Sequence, residues 1–536
     1  MLKNQFVKGN RKNDQLNFKN KSKPDDILKS NITSAKGLID SIRTSLGQGM
    51  DKMIIGGDKS SIVIITNDGA TILKKIKVLH PASKILVNLS ESQDAEAGDG
   101  TTSVVVLAGS LLGECESLLA MGMHPLAIAE GFRNACKCAI GAIESMSKPV
   151  ELSDRESLIK SAHTSLHSKV VSNYSNVLAP LCVDAVLKII DIEKDTTVNL
   201  KDIQIIKKMG PTVDESVLVP GLVLDNKCIN QPNGIRRVEK AKIAVVQFCL
   251  SPPKTNIDSQ VMIDDYTQMD KILQEEREYI LKIVKKIKKS GCNVLLIQKS
   301  ILRDALNELA EHYLTKLKIM VVKDVERTHV EFICKSLNCR PVASLDRFEA
   351  DALAHVDLVY EQSISGSKVI MFEGMKQVSK TMSIILKGSN EMILEEAERS
   401  VHDALCVVTC LVKKRSLITG AGAPEIEASA QLLRMSNKCI GNDQYCFRAF
   451  SKALDIIPFT LAENSGINAM ETVAKLKSKH NEGFKDYGIN MATGQVCDMW
   501  KESVVQPLLV STSAFNLATE AVCCILKIDE IITIPA

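Results

Sequence analysis

The sequence has few aromatic residues and no segment that resembles a flexible spacer. Phe, Trp and Tyr make up 4% of its 536 residues, and Trp500 is the only tryptophan. The core must therefore rest on Ile, Leu, Val, Ala and Met, a composition that suits packed helices. The length predicts about three or four domains. Yet the 15 Pro and 28 Gly form no cluster, so the domains must be joined in some way other than by flexible linkers.

Net charge is also nearly absent. The chain has 67 basic and 64 acidic residues and a formal net charge of +3, which gives no electrostatic argument for a nucleic acid or a membrane as its partner. No stretch reaches the 18 or so uncharged apolar residues of a membrane span. Residues 1–24 are polar, rich in Lys and Asn, and lack the apolar region of a signal peptide. They predict a disordered tail.

Recognisable hydrolase and metal motifs are missing as well. No C-x-x-C pair occurs among the 16 cysteines, and none of the closely spaced cysteine sets is accompanied by two His at zinc-finger spacing, so we interpret the cysteines as buried, reduced thiols of a cytosolic protein. The absence of G-x-S-x-G and H-E-x-x-H argues against a Ser/His/Asp hydrolase.

The periodicity of apolar residues divides the chain into helical, mixed, α/β and again helical regions. Short β-branched runs between residues 217 and 385 alternate with two long charged helices, 264–289 and 301–316, which predicts an α/β region with parallel strands. Both outer regions are helical. If they pack together as one domain, the inner region is an insertion between them. The predicted outer helices are 28–46, 104–121, 126–146, 392–415, 424–435, 443–464, 469–480 and 505–528.

The strongest local signal is Gly98–Ser103 (GDGTTS), directly before an apolar helix. Glycines allow close approach to an anion, and the free N–H groups of a helix start point towards it. A carboxylate such as Asp99 beside phosphates can hold Mg²⁺. The alternative is a turn in which Asp99 or Thr101 caps the helix. The motif is not a P-loop, because no Lys follows the second glycine.

Four further segments have simple structural interpretations. Asn67-Asp68-Gly69 between β-branched runs predicts a hairpin turn. Gly47 and its neighbours can end the first helix, and Gly420–Gly422 is a small-residue loop before a helix. Asp403 lies off the apolar face of helix 392–415, and this position alone predicts a solvated surface carboxylate.

Taken together and in this order, these segments resemble a group II chaperonin subunit of the T-complex protein family. The similarity extends from about residue 25 to residue 532. The segments that carry the resemblance are Leu46-Gly47, Gly49–Met53, Thr66–Thr71, Gly98–Ser103, His402–Ala404 and Ala423–Glu427.

The resemblance implies an α+β multidomain chaperonin fold in nested order. A helical equatorial ATP-binding domain would comprise residues 1–149 and 405–536. A small intermediate hinge domain would comprise 150–216 and 377–404, and an α/β apical domain for substrate and lid would comprise 217–376. The lid protrusion would be residues 251 to about 272, and helix 301–316 would line the substrate groove.

The resemblance also implies roles for individual residues, with ATP and Mg²⁺ as cofactors. Asp99 would hold Mg²⁺, Asp68 would orient the attacking water near the γ-phosphate, and Asp403 would swing in on closure to position or activate that water. The residues that would contact the nucleotide are Gly47, Gly100, Thr101, Thr102, Ser103, Ser168, Gly420, Ala421, Gly422, Asn490 and Gln506.

Three positions depart from the family pattern. The usual Leu-Gly-Pro-Lys-Gly is Leu46–Gly49 here, which is one residue short and lacks the Lys. The usual triple glycine contains Ala421, and Gln506 stands where many relatives have an acid. The shortened loop removes a cation near the phosphates, so weaker ATP binding or slower hydrolysis is expected.

The implied partners are seven paralogous subunits in a cytoplasmic, hetero-oligomeric double ring, together with unfolded protein clients, and neither nucleic acid nor membrane. The implied activity is ATP hydrolysis that drives lid closure around non-native protein. One alternative is a ring subunit with weakened turnover that serves as a structural and substrate-contact position. Another is a free small-molecule kinase, which the native size of the protein would distinguish.

Overall fold

The structure is a computed structural model of the full chain. It describes residues 24–55, 63–191, 197–229, 234–252, 266–301, 303–345, 348, 350–364, 366–375 and 381–531. The predicted N-terminal tail, except residue 24, and residues 253–265 of the predicted lid protrusion lie outside the described residues. Two compact units make up the chain: Met1–Pro149 with Ser416–Ala536, and Val150–Arg415. We call these unit 1 and unit 2.

Helices form most of unit 1 and alternate with strands in unit 2. The described helices are α1 Pro24–Ile42, α2 Gly69–Lys75, α3 Pro81–Glu96, α4 Thr101–Ala120, α5 Pro125–Met146, α6 Arg155–His167, α7 Ser175–Ile189, α8 Tyr266–Lys289, α9 Glu308–Lys316, α10 Arg327–Leu337, α11 Glu391–Lys413, α12 Ala423–Ser436, α13 Asn442–Leu454, α14 Ile456–Asn464, α15 Ala469–Asn481 and α16 Leu508–Leu526.

The strands are short in unit 1 and longer in unit 2. They are β1 Lys52–Ile55, β2 Val63–Thr66, β3 Lys148–Pro149, β4 Ile203–Met209, β5 Val217–Pro220, β6 Val223–Leu224, β7 Arg237–Val246, β8 Val294–Gln298, β9 Met320–Val325, β10 Ala354–Ile364, β11 Ser367–Met375, β12 Met382–Gly388, β13 Ser416–Thr419, β14 Tyr487–Ile489, β15 Val496–Asp498 and β16 Val505–Pro507.

The core of unit 1 is aliphatic, as the composition predicts. Helix α4 is buried along most of its length and packs against α1, α3, α13 and α16. One aromatic pair, Phe132 and Phe450, joins α5 to α13 with ring centroids 5.7 Å apart. By length and composition, Thr101–Ala120, Val170–Ile189 and Leu508–Leu526 could each cross a membrane. Each carries at least one charged residue, and the first and last bury most of their surface within the unit.

Unit 2 contains two sheets. One has the order β6-β11-β10-β7-β8-β9, and the other has the order β4-β12-β5. In the larger sheet β7, β8 and β9 are parallel, whereas β6, β11, β10 and β7 pair antiparallel. The prediction of parallel strands is therefore correct for β7, β8 and β9 but wrong for β6, β10 and β11, which pair antiparallel with their neighbours.

Three predicted elements are wrong in extent. The helix predicted over 301–316 is only α9, because Leu250 N–H donates to the Ala305 carbonyl and Leu306 bridges Leu250. The helix predicted over 443–464 is two helices, α13 and α14, which meet at Asp455. The last helix begins only after β16. Helices α3 and α10 and strands β4 and β10 are among the elements that were not predicted.

Candidate functional site

The residues around Asp68 start a helix instead of forming the predicted hairpin turn. Asp68 is the N-cap of α2: its Oδ1 accepts from the Ala70 N–H at 3.2 Å, and its Oδ2 accepts from the Thr71 N–H at 2.9 Å and the Thr71 hydroxyl at 2.7 Å. A carboxylate that caps the next turn stabilises helical backbone after Gly69. The β-hairpin in this region is instead formed by β1 and β2, which precede the turn.

Helix α4 begins without a side-chain cap. Its N-cap is Gly100, with φ of +74°, and the Asp99 carboxylate turns back to accept the Gly100 N–H at 2.7 Å. Neither Asp99 nor Thr101 caps the helix, so the alternative reading of GDGTTS as an N-cap turn is wrong. The first N–H groups of α4 have no side-chain cap, and an uncapped helix start is a suitable site for an anion.

The starts of α2 and α4 lie against each other. The Thr101 hydroxyl donates to Asp68 Oδ1 at 3.0 Å. A Cβ on Gly69 would lie 2.6 Å from the Thr102 hydroxyl oxygen and 2.9 Å from the Thr102 backbone nitrogen. Thr101 and Thr102 are buried, and Ser103 is half-buried one residue on. Two helix N-termini in contact concentrate partial positive charge at one place, which favours a phosphate-like ligand.

A buried glutamine holds the loop between α3 and α4. The Gln93 Nε2 donates to the Asp99 carbonyl at 3.0 Å and to the Val510 carbonyl at 3.3 Å, and Gln93 Oε1 accepts from the Ser513 hydroxyl at 3.1 Å. The side chain is fully buried. Gln93 was not predicted from the sequence, because it stands among the polar residues Glu91, Ser92, Asp94 and Glu96, where an amide suggests a solvated helix face.

The loop at Gly47 joins the same cluster. Its carbonyl accepts from the Asn67 amide at 3.4 Å, and the Leu46 carbonyl accepts from the Asn464 amide at 2.9 Å. Gly47 has φ of +71°, and a Cβ there would lie 2.6 Å from a Leu461 methyl carbon. Glycine is therefore required at this position, and Gln48 beside it is exposed.

Strand pairing brings the Gly420–Gly422 loop close to Gln506, and one backbone hydrogen bond brings it close to Asn490. Gln506 on β16 is opposite Ile418 on β13, and a Cβ on Gly420 would lie 3.8 Å from Gln506 Oε1. The Ala421 carbonyl accepts the Ile489 N–H at 3.2 Å, next to Asn490. Ala421 has φ of +56°, a conformation that favours glycine.

Two of these side chains already have partners within unit 1. Asn490 Oδ1 accepts the N–H groups of Ala492 at 2.9 Å and Thr493 at 3.2 Å, which closes a turn, while Gln506 Nε2 donates to the Ser511 hydroxyl at 2.8 Å. The first turns of α16 therefore contact both parts of the site, through Gln93 and through Gln506.

Ser168 and Asp403 belong to unit 2. Asp403 forms an ion pair with Lys169, and the two side chains are only 13% and 8% exposed. Asp403 is thus not the solvated surface carboxylate that its helix position suggests. Ser168 ends α6, and its hydroxyl donates to the Ser165 carbonyl at 2.9 Å. Lys169, the next residue, was missed because one Lys among many carries no signal.

The donors around Asp99 fit Mg²⁺. Asp99 is half-buried, its Oδ1 holds the Gly100 N–H, and its Oδ2 has no partner among the described residues. Mg²⁺ in nucleotide sites is usually held by one or two carboxylates together with phosphate oxygens and waters. Within the described ranges no group of three His, Cys, Asp or Glu could hold a metal by itself, so a site at Asp99 needs oxygens from the ligand.

A buried acid follows the Gly420–Gly422 loop in the sequence. Glu425, in the first turn of α12, is buried, and desolvation raises its pKa to about 7. Its Oε2 has no hydrogen-bond partner in the described part of the chain. The neighbouring acid Glu427 instead contacts His480, with 3.1 Å between Oε2 and Nδ1. The side chain of His480 is fully buried.

Comparison with known proteins gives the family. Residues 38–535 match the model of the TCP-1/cpn60 chaperonin family. The chain belongs to this family. It is 56% identical to T-complex protein 1 subunit delta of Arabidopsis thaliana over 518 residues, which is 96% of each chain.

Other similar chaperonin subunits come from animals. T-complex protein 1 subunit delta of Homo sapiens is 55% identical over 517 residues, 96% of this chain and 95% of the relative. The protein of the same name from Caenorhabditis elegans is 54% identical over 520 residues, 97% of this chain and 96% of the relative. The resemblance stated from the motifs is thereby confirmed, as is the α+β chaperonin fold.

Proposed function

We propose that this chaperonin subunit binds and hydrolyses ATP in a cytosolic, hetero-oligomeric double ring, and that hydrolysis drives lid closure around unfolded protein clients. The observation that supports this most directly is the contact between the starts of α2 and α4. Asp68 joins the two helices, and the N–H groups of α4 have no side-chain cap. An anion that enters here meets two helix dipoles, the Gly100 backbone and three hydroxyl side chains.

In this proposal Asp99 and Asp68, the two carboxylates of unit 1 at the site, have different roles. Asp99 would hold Mg²⁺, which would neutralise phosphate charge, because its Oδ2 has no partner in the described part of the chain. Asp68 already accepts four hydrogen bonds, so its main task is to fix the Thr101 hydroxyl and both helix starts while it orients the water. Gly47 and residues Gly100, Thr101, Thr102 and Ser103 surround the phosphates. Gly420–Gly422, Asn490, Gln506 and Ser168 line the base and ribose.

Asp403 completes the site on closure. Its carboxylate is held by Lys169 in unit 2, in a pair that is almost buried. A buried carboxylate with a fixed partner has a defined orientation, which suits a group that must position one water. In this scheme the equatorial domain is 1–149 with 405–536, the intermediate domain is 150–216 with 377–404, and the apical domain is 217–376.

The apical region offers a cleft for clients. It has a volume of about 420 Å³ and is lined by both charges and apolar atoms, with Glu311 contributed by α9. The lining supports recognition of polar as well as apolar client segments. The other lining residues are Asp225, Asn226, Lys227, Cys228, Ile229, Lys323 and Asp324.

One observation favours a second candidate function, a ring position with weakened turnover. The Leu46–Gly49 loop has Gln48 and no cation. Gly49 is packed so closely that a Cβ there would lie 2.2 Å from the Thr44 carbonyl oxygen. A loop that is short and tightly closed cannot supply the missing positive charge. Inserting Pro-Lys in place of Gln48 should then raise ATP affinity.

The proposal is tested by changing the Mg²⁺ ligand in the assembled ring. Asp99→Asn in this subunit should raise the Mg²⁺ concentration needed for half-maximal turnover of this subunit by about tenfold or more. Asp40→Asn, at an exposed carboxylate on α1 in the same unit, is the matched control and should leave it unchanged. An equal Mg²⁺ dependence for both variants would refute the assignment of Asp99, and a native protein of subunit size would refute the ring.

A further inference from the structure

Two cysteines lie at the two contacting positions of one helix end. Helix α10 ends in a Schellman motif: Asn338 follows it with φ of +49°, and the Cys339 N–H donates to the Cys334 carbonyl at 3.1 Å. In this motif the side chains at those two positions regularly touch, and the contact is normally apolar. Here the pair consists of two thiols, and both are half-buried against the same apolar cluster.

The two thiols also interact with each other. Their interaction lowers the pKa of Cys334 and raises that of Cys339. The other described cysteines with a resolved change have a raised pKa; burial raises the pKa of Cys182 to about 12, for example. A thiol with a lowered pKa and partial exposure is the reactive kind, because the thiolate is the nucleophile.

We propose that Cys334 and Cys339 form a reversible dithiol–disulfide site that reacts with low-molecular-mass disulfides such as glutathione disulfide. The Cys334 thiolate attacks one sulfur of the small disulfide and releases one thiol. Cys339 then attacks the Cys334 sulfur of the mixed disulfide and releases the second. Two protein thiols and one small disulfide become one protein disulfide and two small thiols, and both protons end on the released thiols.

Disulfide formation at this position would affect the contacts between α10 and two strands. The residues between the two cysteines anchor α10 to the starts of two strands. Lys335 Nζ contacts both oxygens of Asp202, each at 2.6 Å, just before β4. The Thr381 hydroxyl, just before β12, donates to the Ser336 hydroxyl at 2.8 Å. A disulfide would fix the helix end that contacts the starts of β4 and β12, and we infer that it stiffens both strand starts.

The experiment uses the native full-length chain in glutathione buffers from reduced to oxidised, with acid quenching and alkylation of free thiols. Trypsin cuts after Lys335 and not before Pro341, so a disulfide joins peptides 328–335 and 336–347. The joined pair should form, two hydrogens lighter, and should disappear with dithiothreitol. Cys334 should lose free thiol about tenfold faster than Cys182.

Two variants separate this mechanism from general oxidation. Cys339→Ser should stop the reaction at a glutathione adduct on Cys334, whereas Cys334→Ser should leave Cys339 unmodified. Failure of the joined peptides to form in oxidised buffer would overturn the proposal. Equal reaction of Cys182, which is fully buried, would also overturn it, since the linkage would then come from unfolded chain. Slower hydrogen exchange at residues 203–209 on oxidation would support the stiffening.

Discussion

The Asp68 side chain stabilises local helical structure and also contacts the start of α4 at the candidate site. It caps α2 through two N–H groups and the Thr71 hydroxyl, and it accepts from Thr101 at the start of α4. We predict that Asp68→Ala lowers the free energy of unfolding by about 1 kcal/mol. It should also lower ATP turnover of this subunit by at least about tenfold.

A second N-cap provides the control for that prediction. Asp154 caps α6 with the same chemistry, accepting the Glu156 and Ser157 N–H groups and the Ser157 hydroxyl. Asp154→Ala should cost a similar unfolding free energy without changing turnover per folded subunit. Chemical denaturation and steady-state ATPase assays compare the two. Equal turnover in both variants would contradict a role for Asp68 beyond capping.

Glu425 makes stability depend on pH. Burial raises its pKa from 4.5 to about 7, so the native state binds a proton that the unfolded chain releases. The stabilising contribution is complete below pH 4.5 and is lost as pH rises through 7. Unfolding free energy should fall by up to roughly 3 kcal/mol from this residue between pH 4.5 and 8.

The variant Glu425→Gln tests that dependence. It removes the titrating group, so its stability relative to wild type should increase between pH 5 and pH 8, as measured by denaturant unfolding at both values. A difference independent of pH would show that Glu425 does not titrate in this range. Asp40→Gln, at an exposed site on α1, should show no such trend.

At the scale of elements, Gly69 decides how close α2 and α4 can lie. A Cβ there would meet the Thr102 side chain at 2.6 Å and its backbone at 2.9 Å. Gly69→Ala should therefore destabilise the protein by more than about 1 kcal/mol, although alanine favours helix. Gly141→Ala on α5 has nothing within 4 Å of the new Cβ and should stabilise by up to about 1 kcal/mol. Thermal denaturation of both variants tests the contact, and equal effects would contradict it.

Most helices of unit 1 could be predicted because apolar periodicity continues over several turns. The predictions for α4 and α5 end within one residue of the observed helices. The failures have local causes. Asn67-Asp68-Gly69 is a turn sequence, but the Asp68 carboxylate caps a helix that begins at Gly69. Residues 301–316 have a helical pattern, but residues 305–307 bond to residue 250 instead, and a pairing between residues so far apart in the chain cannot be seen in local periodicity.

The site was predictable in its residue types and not in its geometry. Glycines, hydroxyls and Asp99 predicted an anion site from sequence alone, and that site stays a prediction. The contacts that hold it join residues far apart in the chain, such as Gln93 with Val510 and Ser513. The Lys169 partner of Asp403 is 234 residues away. No pattern within a short window contains such pairs, so Gln93, Lys169 and the burial of Asp403 required the structure.

At the scale of the whole molecule, unit 1 is built from both ends of the chain. This explains the absence of spacers, because unit 2 is inserted and its two connections are short. Strands β3 and β13 pair antiparallel where the chain leaves and re-enters unit 1. Within unit 1, this pairing therefore joins the segment that leads into unit 2 to the segment that returns from it.

In the proposed function, Asp403 completes the site on closure and thereby couples ATP hydrolysis to closure. The direct measurement is ATP binding, turnover and lid closure of assembled rings in which this subunit alone carries Asp403→Ala. Because that change leaves Lys169 buried without its partner, the double variant Asp403→Ala with Lys169→Met is measured alongside. We predict that both variants bind ATP but lose this subunit's turnover and its contribution to closure. Unchanged turnover and closure in both variants would contradict the account.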